Sequence, residues 1–212
     1  MRIMTLLAAL AMLTGPTWAN PISFDGWSHQ RFSLFSRNDY EARGQSLGLI
    51  SDDSVSLLYR SLPQSVWSAS GASWSWQVSQ SVPATDLRRK GGDDRNLAVY
   101  FVFLPEEEAR RLQGTRVTTL LGNDAVRVLV YVWGGTHPRG SVLGSPYLGP
   151  RGKTVVLRGA GTGQARERVD LAQDYARAFG GSATSLVGLA VSGDSDDTDS
   201  RIIAQLSGLT LQ

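Results

Sequence analysis

The run Ser73-Trp74-Ser75-Trp76-Gln77-Val78-Ser79 alternates large apolar and small polar residues without a break. Successive side chains of a β-strand point to opposite faces, so a period of two marks a strand with one face buried. Leu97 to Leu104 is apolar on both faces and rich in aromatic and β-branched residues, as suits an inner strand. Val126 to Trp133 reads the same way. Val126, Val128, Val130 and Val132 share one face; Arg127, Leu129, Tyr131 and Trp133 share the other. Side chains of this size lead the core energetics, at roughly 25 cal/mol per Å² removed from water. The chain has no cysteine, so disulfides contribute nothing and this core carries the stability. The stretch from Trp74 to Trp133 therefore predicts an all-β sandwich with three strands at its centre.

Further strands are expected at Arg31 to Phe35, Gln45 to Ile50 and Ser54 to Arg60, the last two separated by the turn Ser51-Asp52-Asp53. Downstream, Thr154 to Arg158, Ala165 to Val169, Leu186 to Ser192 and Arg201 to Leu211 complete the set. Two short helices are marked. Pro105 opens the first, with Glu106, Glu107 and Glu108 in its first turn, Arg110 and Arg111 near its end and Gly114 beyond. Asp170 caps the second, which runs to Phe179 and closes at Gly180. Gly91-Gly92 lies in a polar turn from Asp86 to Asp94, and a long turn-forming segment spans Gly134 to Pro150. Gly159-Ala160-Gly161-Thr162-Gly163 lacks the strand-to-helix unit of a dinucleotide site and is read as a hairpin turn.

At the N-terminus, Met1-Arg2 precedes an apolar run from Ile3 to Leu13 and the small-residue ending Thr17-Trp18-Ala19. This is the pattern of a secretory signal peptide over residues 1–19, too short to span a bilayer. No later segment is long and apolar enough for a membrane helix. Residues 20–212 then form one domain, expected in the periplasm or outside the cell. Hydrophobic residues make up 42% and charged residues 19%, which places the chain among folded domains. Only Lys90 and Lys153 are lysine, and the arginines are scattered at a net charge of +2, so no nucleic-acid footprint is present.

Several motifs together resemble one exported bacterial family, domain of unknown function 3047. They are Trp74-Ser75-Trp76-Gln77-Val78, Gly92-Asp93-Asp94 before Val99 to Phe103, Tyr131-Val132-Trp133, Ser145-Pro146-Tyr147, Asp174 to Gly180, and Gly188-Leu189-Ala190-Val191-Ser192-Gly193-Asp194-Ser195-Asp196-Asp197-Thr198. The resemblance implies a single exported domain with a jelly-roll sandwich, similar to galactose-binding or concanavalin-like modules. The family's acidic turn usually reads Asp-x-Asp-Asn-Thr; here Asp197 replaces the Asn. The segment Ala204 to Gly208 also lacks the aromatic residue and Asp that usually precede the last strand.

The candidate site residues are mostly acidic. Asp194, Asp196, Asp197 and Asp199 fall within six residues of a turn, the oxygen-rich chemistry that a hard cation such as Ca²⁺ prefers. An EF-hand is excluded, because Asp199 stands where the loop needs Gly and Gln205 where it needs Glu. The bland alternative is a solvated turn bonded to its own backbone. Asp93 and Asp94 form a second acidic turn and are candidate ligand-binding residues, as is Trp67, a loop tryptophan suited to stack on a sugar. Trp74, Trp76 and Trp133 read as core. A zinc site is disfavoured with only His29 and His137; His137 reads as a solvated turn residue, and Arg88-Arg89-Lys90 as a solvated face. No Gly-x-Ser-x-Gly elbow occurs. These features favour a non-catalytic binding module for a saccharide or envelope glycan. A glycan hydrolase using a carboxylate pair and an envelope protein-interaction module are the alternatives.

Overall fold

The computed structural model describes residues 19–33, 36–115 and 117–212. The signal-peptide expectation, except Ala19, lies outside these residues, as do Leu34 and Phe35 of the first expected strand. The described strands are β1 (Asn20–Pro21), β2 (Ser28–Arg31), β3 (Asp39–Arg43), β4 (Ser46–Asp52), β5 (Ser56–Ser61), β6 (Gly71–Gln80) and β7 (Arg95–Leu104). They continue with β8 (Arg127–Trp133), β9 (Val142–Ser145), β10 (Gly149–Arg158), β11 (Gly163–Asp170), β12 (Ser185–Asp194) and β13 (Arg201–Leu211). One sheet runs β11-β6-β13-β4-β3, with β1 added against β13; the other has seven strands in the order β2-β5-β12-β7-β8-β10-β9. Pairing is antiparallel except between β8 and β10. The fold is a jelly-roll-like β-sandwich.

The period-two run on β6 does what its alternation requires. Ala72, Trp74, Trp76 and Val78 are buried between the sheets, while Gln77 and Ser79 face solvent. Trp74 packs against Phe101 and Tyr131 with ring centroids 6.1 and 5.8 Å apart, and Trp76 against Trp133 at 5.6 Å. The two indoles meet edge to face at 82°, an arrangement aromatic quadrupoles favour. Phe101 of β7 and Leu129, Tyr131 and Trp133 of β8 thus complete the inter-sheet core, and Tyr100, Val102, Val128 and Val130 point out through the far side of the seven-stranded sheet; a register shift where β7 meets Asp194 turns Arg95 to that side as well.

Among the described residues three short α-helices accompany the sheets, one more than the sequence marks. α1 (Glu106–Arg111) and α3 (Leu171–Phe179) fall where their caps place them, and Gln173 N–H donates to Asp170 at 2.8 Å. α2 (Val117–Leu121) has no terminal signal in the sequence. The first expected strand lies earlier, at Ser28–Arg31, and β9 sits inside the long segment after Trp133. The run Gly159 to Gly163 is not a hairpin turn. It joins β10 and β11, which belong to different sheets, so it is an arch across the sandwich. Gly161 and Gly163 have φ of 130° and 142°, open to glycine because it carries no Cβ.

Candidate functional site

The even-numbered side chains of β7 and β8 do not face bulk water. Together with residues of β5 and β12 they floor a cleft of about 390 Å³ on the outer side of the seven-stranded sheet. Leu57 and Tyr59 of β5, Val102 of β7, Val128 and Val130 of β8 and Ala190 of β12 make its base apolar. α2 roofs part of it with Val117, Leu120 and Leu121. Leu57, Val117 and Ala190 form a small hydrophobic cluster separate from the main core. Arg151 holds this roof in place: its guanidinium donates to the carbonyls of Leu121 and Asn123, at the end of α2 where such groups lack helical partners. Pro146, Tyr147 and Leu148, in the turn between β9 and β10, form the opposite rim. Tyr147 is 55% exposed and Phe32, also at the cleft, 61%.

One end of the cleft is polar. Arg95 and Asp194 face each other across β7 and β12, with Arg95 Nη1 2.9 Å from Asp194 Oδ2. The same Nη1 donates to the carboxylate and the carbonyl of Asp93 at 2.9 Å, and Nη2 donates to the Tyr100 hydroxyl at 2.9 Å. Tyr100 in turn shares a 2.9 Å hydrogen bond with Ser192, and the Tyr147 hydroxyl donates to Asp93 Oδ1 at 3.1 Å. Two neighbouring glycines allow this packing. A Cβ on Gly134 would meet the Arg95 Cα and Cβ at 2.8 and 2.7 Å, and one on Gly193 would meet the Leu49 side chain at 2.8 Å.

One guanidinium serving two carboxylates leaves excess negative charge. Burial pushes Asp194 well above the usual carboxylate range; Arg95 opposes this, and Asp196 and Asp93 add to it. Burial works against charge on Arg95, but Tyr100, Asp194 and Asp93 outweigh it and keep the guanidinium protonated. Partial burial and the Asp93 carboxylate raise Tyr147, which stays a phenol and a donor. Burial, then the charge of Asp94, also raises Asp197.

The two acidic turns meet. Asp94, fully buried, accepts from Asp197 N–H at 3.3 Å, from Thr198 N–H at 2.9 Å and from the Thr198 hydroxyl. Ser195 bonds Ser51 at 2.8 Å and accepts from Ser54 N–H at 3.2 Å, tying the turn to the β4–β5 corner. Asp196 and Asp197 are exposed and reach the mouth of the cleft.

Of the acidic candidates, Asp93, Asp194, Asp196 and Asp197 border the cleft. Asp94 acts beneath them as the clamp of the turn. The carboxylates within 4.8 Å of one another, close enough to share a cation, are Asp94, Asp196 and Asp197; Asp194 is turned to Arg95, and Asp199 is outside this group. Trp67 is not an exposed platform. It is 6% exposed, and its indole N–H donates to the Leu62 carbonyl at 3.0 Å, because the short 3-10 turn Gln64–Val66 folds it into the core. His137 is also not solvated: it is largely buried, 3.2 Å from Asp86. Sequence reasoning missed Arg95, Tyr100, Ser192, Tyr147 and α2. The available signal was the second apolar face of β7 and β8, which an inner strand does not need when only one sheet covers it.

The protein is thus a β-sandwich domain with a ligand-sized cleft on the free face of one sheet. It belongs to the family described as protein of unknown function (DUF3047), which its residues 25–210 match. Among solved structures it is similar to the xyloglucanase domain of NopAA, a type three effector from Sinorhizobium fredii in complex with cellobiose. That likeness has 9% identity and a TM-score of 0.46, covering 93% of this chain and 99% of the other. It is also similar to a loop-swap mutant of Necallimastix patriciarum Xyn11A, with 11% identity, a TM-score of 0.40 and coverage of 87% and 99%. These likenesses concern the fold. No curated protein matches the chain. No described helix is long and apolar enough to cross a membrane.

Proposed function

We propose that the protein is a non-catalytic binding module of the cell envelope whose ligand is a saccharide-headed amphiphile lying in the cleft of the seven-stranded sheet. The observation that carries this reading is the cleft itself: about 390 Å³, apolar along its floor and polar at one end. Pockets of this size, with apolar walls and a few convergent polar groups, are the usual form of a small-molecule site. Valine and leucine give a free sugar nothing to hydrogen-bond, so they suit an acyl or other apolar body. The polar end offers Asp93, Tyr100, Tyr147 and Ser192 to hydroxyl groups, and the exposed rings of Tyr147 and Phe32 offer flat faces at the rim. Arg95 is already held by Asp93, Asp194 and Tyr100, which makes it a fixed part of the wall.

Thermal unfolding with octyl glucoside, glucose and octanol separates the contributions. A ligand that binds only the native state stabilises by about 2.7 kcal/mol at a hundred times its dissociation constant. The expected order of midpoint shift is octyl glucoside, then octanol, with none for glucose. Val130→Phe, which narrows the cleft, is expected to abolish the shift while leaving the circular dichroism unchanged. A shift with glucose alone, or one that survives Val130→Phe, would overturn the reading.

A further inference from the structure

The charge at the polar end says more about the ligand than its capacity for hydrogen bonds. The one guanidinium among the described residues at this end, Arg95, is shared by Asp93 and Asp194. Asp196 and Asp197, both exposed, lie at the mouth without a basic partner among the described ion pairs, and Asp94 sits buried beneath them. Lys90, 5.4 Å above the Tyr147 ring, is an offsetting cation at that rim. Among the described residues that line this end, Asp93, Asp196 and Asp197 outnumber Arg95 and Lys90 even with Asp194 left out of the count. The opposite end is bordered by Arg60, whose guanidinium is engaged with the Ser23 carbonyl. The cleft is therefore polarised along its length, acidic where the polar groups converge.

We infer that the cleft selects an amphiphile carrying a positively charged amine on its polar head, and discriminates against anionic amphiphiles of the same length. This rests on the proposed cleft site and names the chemistry of its ligand. The apolar floor holds the body. An ammonium between Asp93 and Asp196 or Asp197 finds acceptors and opposite charge, in a wall dry enough that the attraction is screened less than in bulk water. A carboxylate or phosphate at the same place meets the like charge of Asp93, Asp196 and Asp197, and the Arg95 guanidinium is already engaged by Asp93, Asp194 and Tyr100. The exposed ring of Phe32 adds a cation-binding face at the rim, where the Tyr147 ring already carries the ammonium of Lys90.

Octylammonium, octanol and octanoate share a chain and differ only in head group, so calorimetric titration of the purified protein with each isolates the charge. The expected result is octylammonium at least tenfold tighter than octanol, and octanoate weaker still, with the ammonium advantage shrinking as salt is raised. The doubly substituted Asp196→Asn/Asp197→Asn protein changes only exposed side chains. It is expected to lose severalfold in octylammonium affinity and nothing in octanol affinity. Equal binding of all three, or tightest binding of octanoate, would overturn the inference and leave the cleft site standing. No binding of any of them, with no response to octyl glucoside, would overturn the cleft site and the inference with it.

Discussion

On the outer face of the six-stranded sheet, Ser73, Ser75, Gln77 and Ser79 stand between the buried Trp74, Trp76 and Val78. On the outer face of the seven-stranded sheet, Val102, Val128 and Val130 stand between the equally buried Phe101, Leu129 and Tyr131. The first sheet is amphipathic and its outer face is finished by water. The second is apolar through its thickness, which is unfavourable unless something covers it, and α2 covers only part. Polar outer faces keep a protein soluble; an apolar one that is hollowed and capped by charge has a use.

The two sheets share one core, and the largest effect is expected there. Trp76→Ala removes the ring packed on Trp133 and is expected to cost about 3–5 kcal/mol in denaturant unfolding. Its neighbour Gln77→Ala, on the polar face, should stay within about 0.5 kcal/mol. At the end of the cleft, Arg95→Met strands Asp93 and Asp194 without their cation, at a cost of about 3 kcal/mol near neutral pH. That cost should shrink in acid as Asp194, whose carboxyl is raised by burial, takes up its proton.

The sign of the pH dependence follows from Asp194. Its folded pKa lies well above its ordinary 3.8, so the native state binds more protons than the unfolded state above that pH. Stability from this group is therefore greatest in acid, and declines as pH climbs from about 3.8 toward the raised folded value. Asp194→Asn should flatten this part of the curve, read as the unfolding midpoint against pH. Glu167, on β11, behaves oppositely. Burial works against its charge, but hydrogen bonds from Arg139 and Arg158 outweigh it, so its contribution is present above its ordinary 4.5 and lost as pH falls through its lowered folded value. A smaller effect distinguishes the outer faces: Val130→Thr on the cleft floor should cost about 1 kcal/mol, and Ser75→Thr less than about 0.5 kcal/mol.

The fold was legible where chemistry along the chain was local. The alternation of β6, the caps of α1 and α3 and the two-faced hydrophobicity of β7 and β8 each follow from neighbours in sequence. What was not legible depends on which strands become partners. Nothing local tells that Gly159 to Gly163 crosses between sheets, or that Asp94 reaches over a hundred residues ahead to clamp Thr198. The acidic residues were visible as candidates; the guanidinium that organises two of them was one scattered arginine among many. Trp67 was misjudged because a loop in sequence was taken for a surface in space, and its buried N–H finds the Leu62 carbonyl only through the turn that follows β5.

Methyl and amide chemical shifts followed during titration with octyl glucoside compare the two outer faces in one experiment. Saturable shifts are expected to be confined to the methyl groups of Leu57, Val102, Val128, Val130 and Ala190, with the amides of Ser75, Gln77 and Gln205 unmoved. Shifts centred on Ser75, Gln77 and Gln205, or none that saturate on the cleft floor, would contradict the cleft site.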